Sequence, residues 1–124
     1  MPDRKPHVAV VDDDLSVRTA LARLLALNSY SAEAFGSARE FLDSLGRRRP
    51  ECIVLDLQMP DLNGFELQLH MRRCEIRIPT VIVTAYNEPG LEERCSGAGA
   101  SAFLVKPLSA ATLMTAIDAA VSMQ

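Results

Sequence analysis

The sequence predicts one α/β domain: a five-stranded parallel sheet, doubly wound, with helices on both faces. Three observations carry this. Short apolar runs rich in β-branched residues, Val8-Ala9-Val10-Val11 and Cys52-Ile53-Val54-Leu55, read as strands buried on both sides, and Thr80-Val81-Ile82-Val83-Thr84 reads as a further strand. Segments of helical period with cap residues lie between them. The connections are short and unrepeated, so five βα units with right-handed crossovers follow. The 124 residues fit a single domain spanning 1–124.

Each element has its own signal. After the first strand, Asp14 caps a helix that carries Val17, Leu21, Leu24 and Leu25 and ends near Asn28. Tyr30 to Phe35 alternates apolar and polar residues as an edge strand does. Ser37 and Glu40 form a capping-box pair ahead of Phe41, Leu42 and Leu45, with Gly46 as the stop. The third strand ends at Asp56. Asn63 with Glu66 then caps a helix through Phe65 and Leu69, and Pro79 opens the fourth strand. A short, weakly held helix is expected within residues 87–98, where Pro89 and Gly90 come early and large apolar residues are few. Ala102-Phe103-Leu104-Val105 is the fifth strand. Ser109 caps a last helix with Leu113, Ala116, Ile117, Ala120 and Val121 on one face. Its small residues Ala111, Ala116, Ala119 and Ala120 read as close helix–sheet packing.

Composition excludes several classes. The net charge of −3 argues against direct nucleic-acid binding by this domain. Cys52, Cys74 and Cys95 are odd in number and widely spaced, which suggests neither a zinc site nor a disulfide framework. No signal-peptide pattern precedes the first strand, and no apolar stretch is long enough to span a bilayer, so a cytoplasmic location without membrane contact is expected. The run Arg47-Arg48-Arg49 reads as a solvated helix C-terminus. His7 and His70 read as structural or solvated.

Four landmarks fall at strand C-termini: Asp12-Asp13, Asp56, Thr84 and Lys106. Parallel strands deliver these ends to one edge, where open α/β folds place their sites. Three converging carboxylates repel one another unless a cation sits among them. Carboxylates suit a hard cation such as Mg2+. A lysine and a hydroxyl supply donors to a tetrahedral anion. Together these are the parts of a phosphoryl-transfer site, in which positioning and charge neutralisation carry the catalysis. Asp14 and Asp61 are nearby acids that read as a cap and a loop residue.

On these residues the chain resembles the receiver domain of two-component response regulators. The matching stretches are Val10-Val11-Asp12-Asp13, Leu55-Asp56-Leu57-Gln58-Met59-Pro60, Asn63-Gly64, Val83-Thr84-Ala85 and Gly99-Ala100-Ser101-Ala102-Phe103-Leu104-Val105-Lys106-Pro107. The segment Phe35-Gly36-Ser37-Ala38-Arg39-Glu40-Phe41-Leu42 resembles the FixJ-type branch, whose members usually carry a C-terminal helix-turn-helix domain. The resemblance implies a flavodoxin-like strand order 2-1-3-4-5 and a phosphoacceptor rather than an enzyme, one that catalyses only its own phosphotransfer and autodephosphorylation. Asp56 would be the acceptor, and a sensor histidine kinase the donor. Asp13 would ligate Mg2+ (or Mn2+) directly and Asp12 mainly through water, with Asp56 and the Gln58 backbone carbonyl completing the protein ligands. Lys106 and Thr84 would bind phosphoryl oxygens, and the Lys106–Pro107 bond would be cis.

The same resemblance places a switch at Thr84 and Phe103. Thr84 swings toward the phosphoryl group and the aromatic fills the vacated space. Phe103 stands where the family often has Tyr, so its inward rotamer rests on packing alone. The surface affected is the fourth helix, fifth strand and fifth helix, residues 89–121, through which a homodimer forms or an output domain is controlled. The resemblance implies that this output would be a C-terminal DNA-binding domain outside this chain, serving transcription. Gln58 and Tyr86 occupy positions that tune the phosphorylated lifetime. Two rival readings remain on the residues. Asp12-Asp13-Asp14-Leu15-Ser16 also resembles the nucleophile motif of haloacid-dehalogenase-type phosphatases, which leaves Asp56 and its surroundings unexplained. A receiver-like interaction module that never takes phosphate is the other.

Overall fold

A computed structural model describes residues 5–59, 63–85 and 87–122. Five strands, β1 His7–Val11, β2 Ser31–Phe35, β3 Cys52–Asp56, β4 Thr80–Thr84 and β5 Ala100–Val105, alternate with five helices, α1 Leu15–Leu27, α2 Ala38–Ser44, α3 Gly64–Arg73, α4 Leu91–Gly97 and α5 Ala110–Ser122. All four strand pairings are parallel, and the order is β2-β1-β3-β4-β5. The five-unit α/β architecture and its implied order are therefore present.

The period of two along each strand divides the core into two layers. Ala9, Val11, Ile53, Leu55 and Ile82 face Phe41 of α2, Leu67 and Met71 of α3 and Cys95 of α4. Val8, Val10, Cys52, Val54, Val81 and Val83 face Leu25 of α1 and Leu113, Met114, Ile117 and Ala120 of α5. β1, β3 and β4 are buried along their whole length. That is why their sequences read as unbroken apolar runs rather than alternating ones.

Most helix starts follow their caps. Asp14 accepts the amides of Ser16 and Val17. Asn63 and Glu66 form the reciprocal capping box at α3. Ser109 Oγ accepts the Thr112 amide. At α2 the pair is displaced. Ser37 accepts the Glu40 amide, but the Glu40 carboxylate takes the Gly36 amide and the Ser37 hydroxyl. α2 ends at Ser44 with Leu45 as its cap, one residue before the expected Gly46 stop.

Three further expectations are corrected. β5 begins at Ala100, two residues early, with an irregular register between Thr80 and Val81 where it joins β4. α3 buries Leu67 and Met71, while Phe65 and Leu69 are only half-buried. On α5, Ala111 and Ala119 face solvent and Met114 takes the buried place, because the apolar stripe follows the large side chains. α4 is short, as expected. It has seven residues, one buried side chain (Cys95) and an N-cap, Gly90, in the left-handed region at φ 84° with no side-chain cap. No helix among the described residues is long and apolar enough to cross a membrane.

Candidate functional site

The strand register brings the polar strand ends level. Val11 pairs with Leu55, so Asp12 stands beside Asp56 across the β1–β3 ladder. Asp56 pairs with Val83, one residue before Thr84. Thr84 pairs with Val105, one residue before Lys106, whose amide donates to the Thr84 carbonyl at 2.8 Å. Every residue expected at the site except Tyr86 lies within the described residues. Tyr86, with Pro60 and Asp61, lies outside them.

Asp12, Asp13 and Asp56 offer carboxylate oxygens that all lie within 4.8 Å of one another. Asp12 and Asp56 are buried, and Asp13 opens to solvent. Lys106 Nζ stands 3.6 Å from Asp12 Oδ2. Burial pushes the Asp56 carboxyl above the usual carboxylate range. The Gln58 amide, donating to Oδ1 at 3.1 Å, opposes this, Asp12 adds to it, Lys106 opposes and Asp13 adds. A crowded all-oxygen set with excess negative charge fits a hard divalent cation. The donor set therefore fits Mg2+. Thr84 is fully buried at the end of β4.

The backbone around the trio is tied on every side. The Asp12 amide donates to the Phe35 carbonyl at 3.1 Å, and Asp12 Oδ1 accepts the Asp14 amide at 2.9 Å. Arg18 Nη1 donates to the Asp12 carbonyl at 2.8 Å, a contact no sequence motif announced. The Lys106–Pro107 peptide is cis. Phe103 is half-buried against the core layer under α2–α4. Asp14 spends its carboxylate on the α1 cap, as expected.

This fold and this site define a response regulator receiver domain. The chain belongs to that family: residues 8–118 match its profile. Among curated relatives it is 37% identical over 116 residues to Nodulation protein W of Bradyrhizobium diazoefficiens, covering 94% of this chain and 51% of the relative. It is 38% identical over 115 residues to response regulator MprA of Mycolicibacterium vanbaalenii, covering 91% and 49%. The chain thus spans about half the length of the curated relatives it matches. Among solved structures it superposes on FixJ-N with a TM-score of 0.89 at 30% identity, covering 98% of this chain and 97% of that one. This likeness supports the FixJ-type branch. A response regulator receiver protein from Burkholderia phymatum matches at 38% identity, TM-score 0.84, covering 95% and 96%.

Proposed function

We propose that Asp56 is the phosphoacceptor of a two-component relay and that Asp12, Asp13 and the Gln58 backbone carbonyl join it in holding Mg2+. The observation that carries this is the meeting of three carboxylates, a buried hydroxyl and one ammonium at the ends of four adjacent strands. When bound, Mg2+ (or Mn2+) neutralises the carboxylates and takes up phosphoryl charge.

The protein's own residues do the rest. An Asp56 carboxylate oxygen attacks phosphorus in line with the nitrogen of a kinase phosphohistidine. An O–P bond forms and the P–N bond breaks. The electron pair leaves with the imidazole, which a solvent proton restores to the neutral ring. The Gln58 amide holds Asp56 Oδ1, so the carboxylate is aimed before the donor arrives. Lys106 turns from Asp12 toward a phosphoryl oxygen, and the Thr84 hydroxyl donates to another. The donor is a sensor histidine kinase.

The added group brings roughly two negative charges beside β4. Thr84 moves toward it and Phe103 fills the space left. The α4-β5-α5 surface is then biased so as to control homodimerisation or a transcriptional output domain. Gln58 and Tyr86 set how readily water reaches the phosphoryl group. The test is modification by acetyl phosphate with Mg2+, read by intact mass. The expected result is a gain of one phosphoryl group that chelation abolishes and Asp56→Asn removes. Turnover of a phosphomonoester that depends on Asp12 instead would favour the phosphatase reading.

A further inference from the structure

α4 packs against β5 and is tied to α3 by side-chain bonds. Its own sequence gives it little: seven residues, one buried side chain and no side-chain cap at its start. A helix that short is marginal without outside support. Support comes from one face of α3, at positions 65, 68 and 72, spaced i, i+3, i+7. The Gln68 Nε2 donates to the Cys95 carbonyl at 3.3 Å. The Arg72 guanidinium donates to the Gly97 carbonyl. The Arg94 guanidinium lies 5.0 Å from the centroid of the Phe65 ring. Two of the carbonyls in the last turn of α4 are thus capped from another helix.

Gln68 is the informative member. It is only 3% exposed, and its Oε1 has no hydrogen-bond partner among the described residues. A buried amide satisfied on one side only is a poor stabiliser. A hydrophobic residue would serve the core better at this position, so its use lies in the bond it sends to α4. Beside the site is a cleft of about 160 Å3, lined in part by Leu57, Phe65, Thr84, Leu91 and Arg94. Thr84 and the Leu91 and Arg94 side of α4 therefore line one cleft.

We propose that Gln68 and Arg72 are positioning residues that latch α4 in its resting place, so that the Thr84 switch works against them. This rests on the phosphoacceptor reading. A ligand that favours the switched form must overcome the latch, and weakening the latch raises the affinity for that ligand by the same factor.

The experiment compares Gln68→Met, Arg72→Ala and the wild type by titration with beryllofluoride and Mg2+, amide hydrogen exchange of α4, and thermal unfolding. Half-saturation is expected at about 3- to 10-fold lower beryllofluoride in either variant, with α4 amides exchanging faster by a similar factor in the unliganded protein. Gln68→Met should melt at the wild-type temperature or above, since the orphaned oxygen goes with the amide. A merely structural glutamine would instead lower the melting point and leave the affinity unchanged. Unchanged or weaker beryllofluoride binding in both variants overturns the latch, as does unchanged α4 exchange. Arg72 is exposed, so its variant keeps the test open if Gln68→Met does not fold. A wild type that never responds to beryllofluoride refutes the phosphoacceptor reading. The latch is then judged by α4 exchange alone, faster exchange supporting it and unchanged exchange overturning it.

Discussion

The Cα of Gly64 is pressed against the backbone of Asp56: a Cβ at residue 64 would lie 2.5 Å from the Asp56 carbonyl oxygen and 2.8 Å from the Leu57 Cα. The Gly64 amide donates to the Leu57 carbonyl at 3.1 Å, which fixes that approach. Both neighbours are backbone, so neither can yield as a flexible side chain would. Gly64→Ala should cost about 1–3 kcal/mol of unfolding free energy, as overpacking does. It should also slow modification of Asp56, because the strain is relieved by moving the acceptor's own peptide. Urea unfolding and acetyl phosphate kinetics check the two effects. An alanine variant with wild-type stability would show that the contact is slack.

Lys106 is the one cation paired with the trio among the described residues. Lys106→Met leaves the carboxylates without it and removes a donor to the incoming phosphoryl group. The rate of modification by acetyl phosphate should fall roughly 10²- to 10³-fold. Mg2+ binding, followed by tryptophan-free methods such as calorimetry, should persist or tighten, since a competing cation has gone. Loss of Mg2+ binding would mean that Lys106 builds the metal site instead.

His7 supplies a pH dependence far from the site. It is buried at the start of β1, with Nδ1 3.1 Å from Ser31 Oγ and Nε2 3.8 Å from Glu33 Oε1. Burial lowers its pKa below the ordinary histidine value, Arg48 and Arg47 act in the same direction, and Glu33 and Glu51 oppose them. The unfolded chain therefore binds the His7 proton at higher pH than the native one. The contribution is complete above the unfolded value of about 6.5 and is lost as pH falls toward the native value. Unfolding free energy should decline from about pH 7.5 to pH 5.5, and more gently in His7→Asn. Equal slopes would remove His7 from the account.

The three cysteines should differ sharply toward alkylating agents. Cys74 is exposed at the end of α3, while Cys52 and Cys95 are buried. Burial raises the Cys95 thiol and pushes the Cys52 thiol up to about 12. Thiolate is the reactive form. Iodoacetamide should label native protein at Cys74 alone, with the other two following only in denaturant. Labelling of Cys95 in the native state would point to frequent opening of α4.

The strands and most caps were legible because their signals are local. An unbroken β-branched run means burial on both faces, and a side-chain oxygen three residues ahead of its amide means a cap. The trio was legible because strand ends in a parallel sheet converge by construction. The reason for Gly64 was not, because it lies in a tertiary approach between α3 and the end of β3. Arg18 carries no motif and reaches the Asp12 carbonyl only through the fold. Gln68 could have been noticed: a polar residue sits between Gly64 and Met71 on the buried face of α3. The alanines of α5 misled because small apolar residues say little about phase, whereas Leu113, Met114 and Ile117 set it.

The central claim concerns which carboxylate is modified. Protein treated with acetyl phosphate and Mg2+, trapped by borohydride reduction and digested, reports that position by peptide mass spectrometry. The label should fall on Asp56 and disappear when Mg2+ is chelated. A label on Asp12 or Asp13, or an unmodified Asp56 under conditions that saturate the metal, would contradict the account.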